Sequence, residues 1–179
     1  MKRIHYLAPT LESVEEISND LHESGVTDWR FHIISKNEAG LYTHKLHSAN
    51  ILYRSDLIRF MERGLIIGGF LAACIILPLA TSGMVNLPTG LWLVIGLFST
   101  LGGAWMGGFG GITAENYKIR QYHKQIEAGT YLVMIDVKKQ NVEAMEQSMA
   151  KNHPEAVLQG VISTFTNPFV EADGKFHII

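Results

Sequence analysis

Between Arg63 and Glu115 the chain carries no Asp, Glu, Lys, Arg or His, and all of its 15 Lys and Arg and 17 Asp and Glu lie outside that interval. Charged side chains resist burial, so their absence over so long a run means that the run avoids water, inside protein or inside lipid. One helical crossing of a hydrocarbon core takes about 20 apolar residues. The interval is too long for one crossing and suits two. The breakers and polar residues of Ser82-Gly83-Met84-Val85-Asn86-Leu87-Pro88-Thr89-Gly90 mark the turn between them. The pattern predicts one helix over 64–82 and a second over 90–113. Each holds nine Leu, Ile, Val or Phe residues, worth roughly −3 to −5 kcal/mol for insertion before glycine and proline penalties. A hairpin buried in a soluble core is the alternative, but a chain of 179 residues leaves little to cover it. A cleaved signal peptide does not fit, because the apolar run begins only at Gly64.

Orientation follows from the flanks. Arg54, Arg59 and Arg63 precede the first helix, Lys118, Arg120 and Lys124 follow the second, and the turn has no basic residue. Basic residues stay on the cytoplasmic side, which puts both termini in the cytoplasm and the turn outside, in a bacterial inner membrane crossed twice. A net charge of −2 exerts no general pull on nucleic acid, and none is expected as a partner. The single cysteine, Cys74, excludes an internal disulfide framework and a multi-cysteine zinc site. It reads as a packing residue.

Small residues recur every four positions in the hairpin: Gly64 and Gly68, Gly69 and Ala73, Gly103 and Gly107, Ala104 and Gly108, Gly107 and Gly111. Residues so spaced share one helix face and let backbones approach closely, where van der Waals packing drives association in lipid. Two uses fit. The glycines seal one helix against the other, or the second helix also packs on neighbouring subunits. Pro78 is expected to kink the first helix.

The flanks read as α+β. Arg3 to Ala8 suits a strand, and Leu11, Val14, Ile17 and Leu21 recur at helical spacing up to Gly25. Trp29, Phe31 and Ile33 alternate with Arg30, His32 and Ile34 as a second strand. Lys36 to Asn50 reads as a polar connection, and Asp56 to Arg63 as a short amphipathic lead into the hairpin. Glu115 to Ala128 is expected to continue the second hairpin helix as far as Gly129. Tyr131, Val133, Ile135 and Val137 alternate as a third strand; Val142, Met145 and Met149 mark a helix stopped at His153-Pro154; Val157 to Ser163 makes a fourth strand. Two strand–helix–strand units with right-handed crossovers combine as a ferredoxin-like βαββαβ domain, and neither half has strands enough to stand alone. The expected organisation is therefore an α+β membrane protein: residues 1–60 and 115–163 form one cytoplasmic domain, split by a transmembrane hairpin over 61–114, with a tail over 164–179.

Gln125-Ile-Glu-Ala-Gly-Thr-Tyr-Leu-Val-Met-Ile-Asp-Val-Lys138 and Asn152-His-Pro-Glu-Ala-Val-Leu-Gln-Gly160 resemble the second half of a family of small bacterial inner-membrane proteins, as do Lys2-Arg-Ile-His-Tyr-Leu and the hairpin end Gly107-Gly-Phe-Gly-Gly-Ile112. The resemblance spans nearly the whole chain, with the tail beyond Phe165 departing from it. That family is grouped as a domain of unknown function, and some members carry the label magnesium transporter. The resemblance implies transport as a direction and brings no catalytic or binding residues with it.

No phosphate loop, Rossmann glycine pattern or nucleophile elbow occurs, so enzymatic activity is not expected. His44 and His47 sit three apart in a segment that reads as a solvated loop. In a ferredoxin-like order the third strand lies between the first two, and alternation then places His5, His32 and Asp136 on the sheet face away from the helices. An imidazole–carboxylate set of this kind suits a divalent ion or a pH response. The same face carries Leu7, Ile34, Leu132 and Met134, and should be covered by another subunit or by the chain's own segments. No resident cofactor is expected, a divalent cation being the one ligand considered. Within the hairpin no ionisable group is available for proton coupling, and two helices cannot enclose a pore. A channel would need several subunits, with Ser99 and Thr100 lining it and Glu62 and Glu115 ringing its cytoplasmic mouth. Two functions follow as expectations: an oligomeric divalent-cation conduit or transport accessory, and a membrane-anchored regulatory or scaffolding module. Membrane lipid and further copies of the chain, docked through the hairpin and the sheet face, are the expected partners.

Overall fold

The computed structural model describes residues 1–165, 168 and 169. Along the chain run β1 (Lys2–Ala8), α1 (Leu11–Glu23), β2 (Phe31–Ile34), α2 (Glu38–Thr43), α3 (Ile51–Arg54), α4 (Leu57–Ser82), α5 (Thr89–Thr113), α6 (His123–Glu127), β3 (Tyr131–Val137), α7 (Val142–Asn152) and β4 (Val157–Ser163). They divide into two compact units: residues 1–50 with 119–165, and residues 51–118 with residues 168 and 169.

The first unit is a mixed α+β body on a four-stranded antiparallel sheet, in the order β2-β3-β1-β4. Its core follows from alternation. Ile4, Tyr6 and Ala8 on β1, Phe31 and Ile33 on β2, and Val133 and Ile135 on β3 join Val14, Ile17 and Leu21 of α1 and Met149 of α7 in one buried cluster. Thr10 starts α1, its hydroxyl accepting from the Ser13 amide at 3.2 Å. Gly25, at φ 80°, follows its end in a conformation that a side chain would strain.

Two expectations for this unit change. Trp29 does not enter β2: Asp28–Arg30 closes as a 3₁₀ turn, with the Arg30 amide on the Thr27 carbonyl at 2.8 Å, and leaves Trp29 84% exposed. The stretch after β2 is not a plain polar connection. Asn37 caps α2 by accepting from the Gly40 amide at 3.0 Å, and Leu41 and Leu46 are buried. The chain then returns alongside β2, the Ile33 amide donating to His47 at 3.2 Å and the Ala49 amide to Ile33 at 2.8 Å. Those bonds cover the β2 edge of the sheet.

The second unit is the helical hairpin. Both α4, with 26 residues, and α5, with 25, are long and apolar enough to cross a membrane. Only 11% and 6% of their most apolar windows is buried, the opposite of a helix in a soluble core. The first helix begins at Leu57 rather than Gly64, so the amphipathic lead and the apolar stretch are one continuous helix, with Pro78 inside it. Gly83, at φ 69°, caps it.

Backbone contact closes the seam between α4 and α5. A Cβ added to Gly64 would strike the carbonyl of Gly103, one on Gly103 the carbonyl of Gly64, and one on Gly107 the carbonyl of Phe60. At Gly68 it would lie 2.8 Å from the Ser99 oxygen, and at Gly111 2.9 Å from that of Asp56. Gly69 meets the Thr100 side chain at 3.5 Å and Gly108 meets Met61 at 3.0 Å, while Gly102 faces open space. Gly103, Gly107, Gly108 and Gly111 of α5 thus pack within the hairpin, while Gly90 and Gly102 face open space.

The second hairpin helix does not run on to Gly129. It stops at Thr113, and Ala114 is extended at ψ 128°. Residues 114–117 instead pair with the entry to α4: the Asp56 amide donates to Ala114 at 2.9 Å, the Asn116 amide to Arg54 at 2.8 Å, and the Tyr117 amide to the Asp56 carboxylate at 3.2 Å. These bonds supply partners that an uninterrupted helix would have found in its own next turn.

Candidate functional site

Registry sets the second sheet face. Arg3 stands opposite Asp136, Met134 lies between His5 and His32, and Leu132 lies between Leu7 and Ile34. All of these side chains are buried within the single chain, His5 to 1% and His32 to 3% exposure. The expected cover is therefore already present, and this face is not an open docking surface.

His5, His32 and Asp136 do share the face, but the carboxylate is engaged. The Arg3 guanidinium grips it in a fork, Nε donating to Oδ1 and Nη2 to Oδ2, both at 2.6 Å. Such bidentate, charge-assisted bonds are among the strongest side-chain contacts. Tyr122 lies edge-on to His5 with ring centres 5.5 Å apart, and His47 approaches His32 at 5.9 Å. Among the described residues no group of three His, Cys, Asp or Glu side chains gathers to hold a metal ion. His44 pairs with Glu15 at 2.7 Å, away from any such set. Sequence reasoning missed Arg3, although its signal was present: Arg3 lies two residues before His5 on the same strand, hence on the same face. Tyr122 was hidden by the expectation of an unbroken helix.

Burial, reinforced by the Arg3 cation, pushes the His32 imidazole down from 6.5 to about 4. The folded state thus keeps His32 neutral where the unfolded chain protonates it. Stability is full above pH 6.5 and falls as the pH drops towards 4, because the unfolded state binds the extra proton in that window. The total loss by pH 4 is about 3 kcal/mol. Urea unfolding of wild type and His32→Gln across pH 4–7 checks this, the variant being expected to lose most of that slope.

The base of the hairpin holds a second buried polar group. Asp56 and Arg59 are each 2% exposed; Arg59 Nη1 donates to Asp56 Oδ2 at 3.3 Å and its guanidinium stacks on Tyr117 at 4.4 Å. Arg63 Nε donates to the Pro168 carbonyl at 2.6 Å, which sets Pro168 against this unit. Of the expected pore residues, Ser99 and Thr100 lie in the seam and Glu62 and Glu115 at this base. Thr100 donates its hydroxyl to Gly96 at 2.8 Å and faces Gly69 across the seam, and the Ser99 carbonyl abuts Gly68. Glu62 and Glu115 are half-buried, Glu115 in a bridge with Ser55. Cys74 is exposed on α4.

No protein-family model matches the chain, and no curated protein or solved structure is significantly similar to it.

Proposed function

We propose that this is a two-span protein of the bacterial inner membrane, its hairpin anchoring a ferredoxin-like cytoplasmic domain that acts as a regulatory or scaffolding module. The strand order β2-β3-β1-β4 supports the ferredoxin-like reading, since it is the order that a split βαββαβ chain produces. Basic flanks and an uncharged turn support cytoplasmic termini. The resemblance to the inner-membrane family described above belongs to the same proposal.

The closed seam carries the choice of anchor over conduit. Thr100 and the backbone carbonyls of Ser99, Gly64 and Gly103, groups that could line a pathway, are turned into contact between α4 and α5. The outward surface is Phe70, Leu71, Ile75, Leu93, Phe98 and Trp105, which suits lipid and offers an ion nothing. The full chain reconstituted in liposomes with an entrapped magnesium-sensitive dye tests this. The anchor reading expects entry no faster than in empty vesicles, for wild type and for Glu115→Gln alike. Flux that rises with protein and falls in Glu115→Gln establishes the conduit instead.

A further inference from the structure

The sheet has two edges, and only one is protected. The returning segment 47–49 hydrogen-bonds to Ile33 and covers β2. Strand β4, at the other end of the order, has a strand partner on one side only among the described residues. Exposed edges are normally guarded by Lys, Pro or a covering segment. β4 has neither Lys nor Pro: from Ala156 to Val170 the chain holds no charged residue, and no proline falls within the strand. Val157 is 58% and Leu158 45% exposed. One irregularity exists. Pairing with β1 shifts register between His5 and Tyr6, opposite Gly160 and Leu158, so β4 bulges at Gln159. Gly160, at φ 150°, has nothing within 4 Å of where a Cβ would stand. A glycine inside a strand, facing open space, allows another backbone to come close.

Charge along the strand says which backbone. At the start of β4 stand Glu155, which accepts a hydrogen bond from Ser13 at 2.7 Å, and Glu12 in the first turn of α1. At its end stands Lys2, in register with Ser163, and beside it, past Val137, come Lys138 and Lys139. The edge is therefore acidic at one end, basic at the other and apolar between. A second copy laid antiparallel presents the complement of that pattern, because a twofold axis brings the acidic end of one strand to the basic end of the other.

We propose that β4 is a self-pairing edge, joining two copies of the chain antiparallel about Gly160 into one eight-stranded sheet. Centred there, Val157 faces the partner's Ser163 and Leu158 faces the partner's Ile162. This proposal does not rest on the hairpin lying in lipid, nor on the module's function.

The test uses the full chain in detergent, with Cys74→Ala as background and single cysteines placed in turn from residue 157 to 163. On mild oxidation, disulfide-linked dimers should form at positions nearest the axis and fade towards both ends. Leu158→Lys should weaken dimerisation, read by native mass spectrometry, at least about tenfold by setting a charge against the apolar side chain of the partner's Ile162. Lys2→Glu and Glu155→Lys should each weaken it, and the double exchange should restore it. Should a single exchange fail to fold, the cysteine series, which keeps both charges, still decides. A monomer, a dimer in which no β4 cysteine crosslinks, β4 cysteines that capture only a different protein, or a folded double exchange without recovery would each overturn the proposal.

Discussion

Replacing Asp136 with asparagine should lower the unfolding free energy of the sheet unit by about 3–5 kcal/mol, the cost of stranding a buried cation. The fork from Arg3 is buried, with both partners at 10% side-chain exposure or less. Losing the carboxylate leaves Arg3 inside the face without its counter-charge, beside His5 and His32. Exchanging both partners for apolar residues of similar size, Arg3→Met with Asp136→Leu, should recover most of the loss, because the pair's attraction is offset by its desolvation. Urea midpoints of the two single variants and the double variant separate these terms. A loss below about 0.5 kcal/mol for Asp136→Asn, the range of ordinary surface substitutions, would mean that the fork does not hold the face together.

The hairpin should be as sensitive, for a steric reason. A valine at Gly107 would force its Cβ into the Phe60 carbonyl, and a valine at Gly64 into that of Gly103. Backbone oxygens cannot swing aside like a side chain, so α4 and α5 would have to separate along the seam. Each substitution is expected to cost about 3 kcal/mol, the upper end for overpacked sites, and to forfeit close packing on which helix association in lipid depends. Gly102→Ala, facing open space on the same helix, should be near neutral. Thermal stability in detergent, compared across the three variants, reads the difference. Equal tolerance of Gly107→Val and Gly102→Ala would mean that the two helices do not touch as described.

How much of this was legible in the sequence differs by region for physical reasons. The two long apolar helices were readable because absence of charge is a composition signal that needs no partner to interpret. The turn at Ser82–Gly90 falls where α4 gives way to α5, the second helix starting at Thr89. Strands β1, β3 and β4 were readable in place, β3 from period-two alternation, and the faces of β1 and β3 followed. Irregular joints were not. The break after Thr113 depends on hydrogen bonds from Asp56 and Asn116, partners some sixty residues apart in the chain. No local pattern encodes such a pairing. Trp29 misled because alternation persists through a 3₁₀ turn. For the site, the shared face of His5, His32 and Asp136 was visible, but the identity of the carboxylate's partner required the β1–β3 register, which sets Arg3 against it. The residues beyond 169 lie outside the described chain, and so does the expectation of a tail over most of 164–179.

The central claim is that the interval from Gly64 to Ala114 lies in lipid with its turn outside the cell. In a Cys74→Ala background, a cysteine placed at Val85 and another placed at Gln159 can be challenged with a membrane-impermeant maleimide. The challenge is made first on intact spheroplasts and then after lysis. The account predicts that the turn position labels before lysis and the β4 position only after it. Labelling of both positions before lysis, of neither turn nor strand until lysis, or recovery of the protein in the soluble fraction would contradict it.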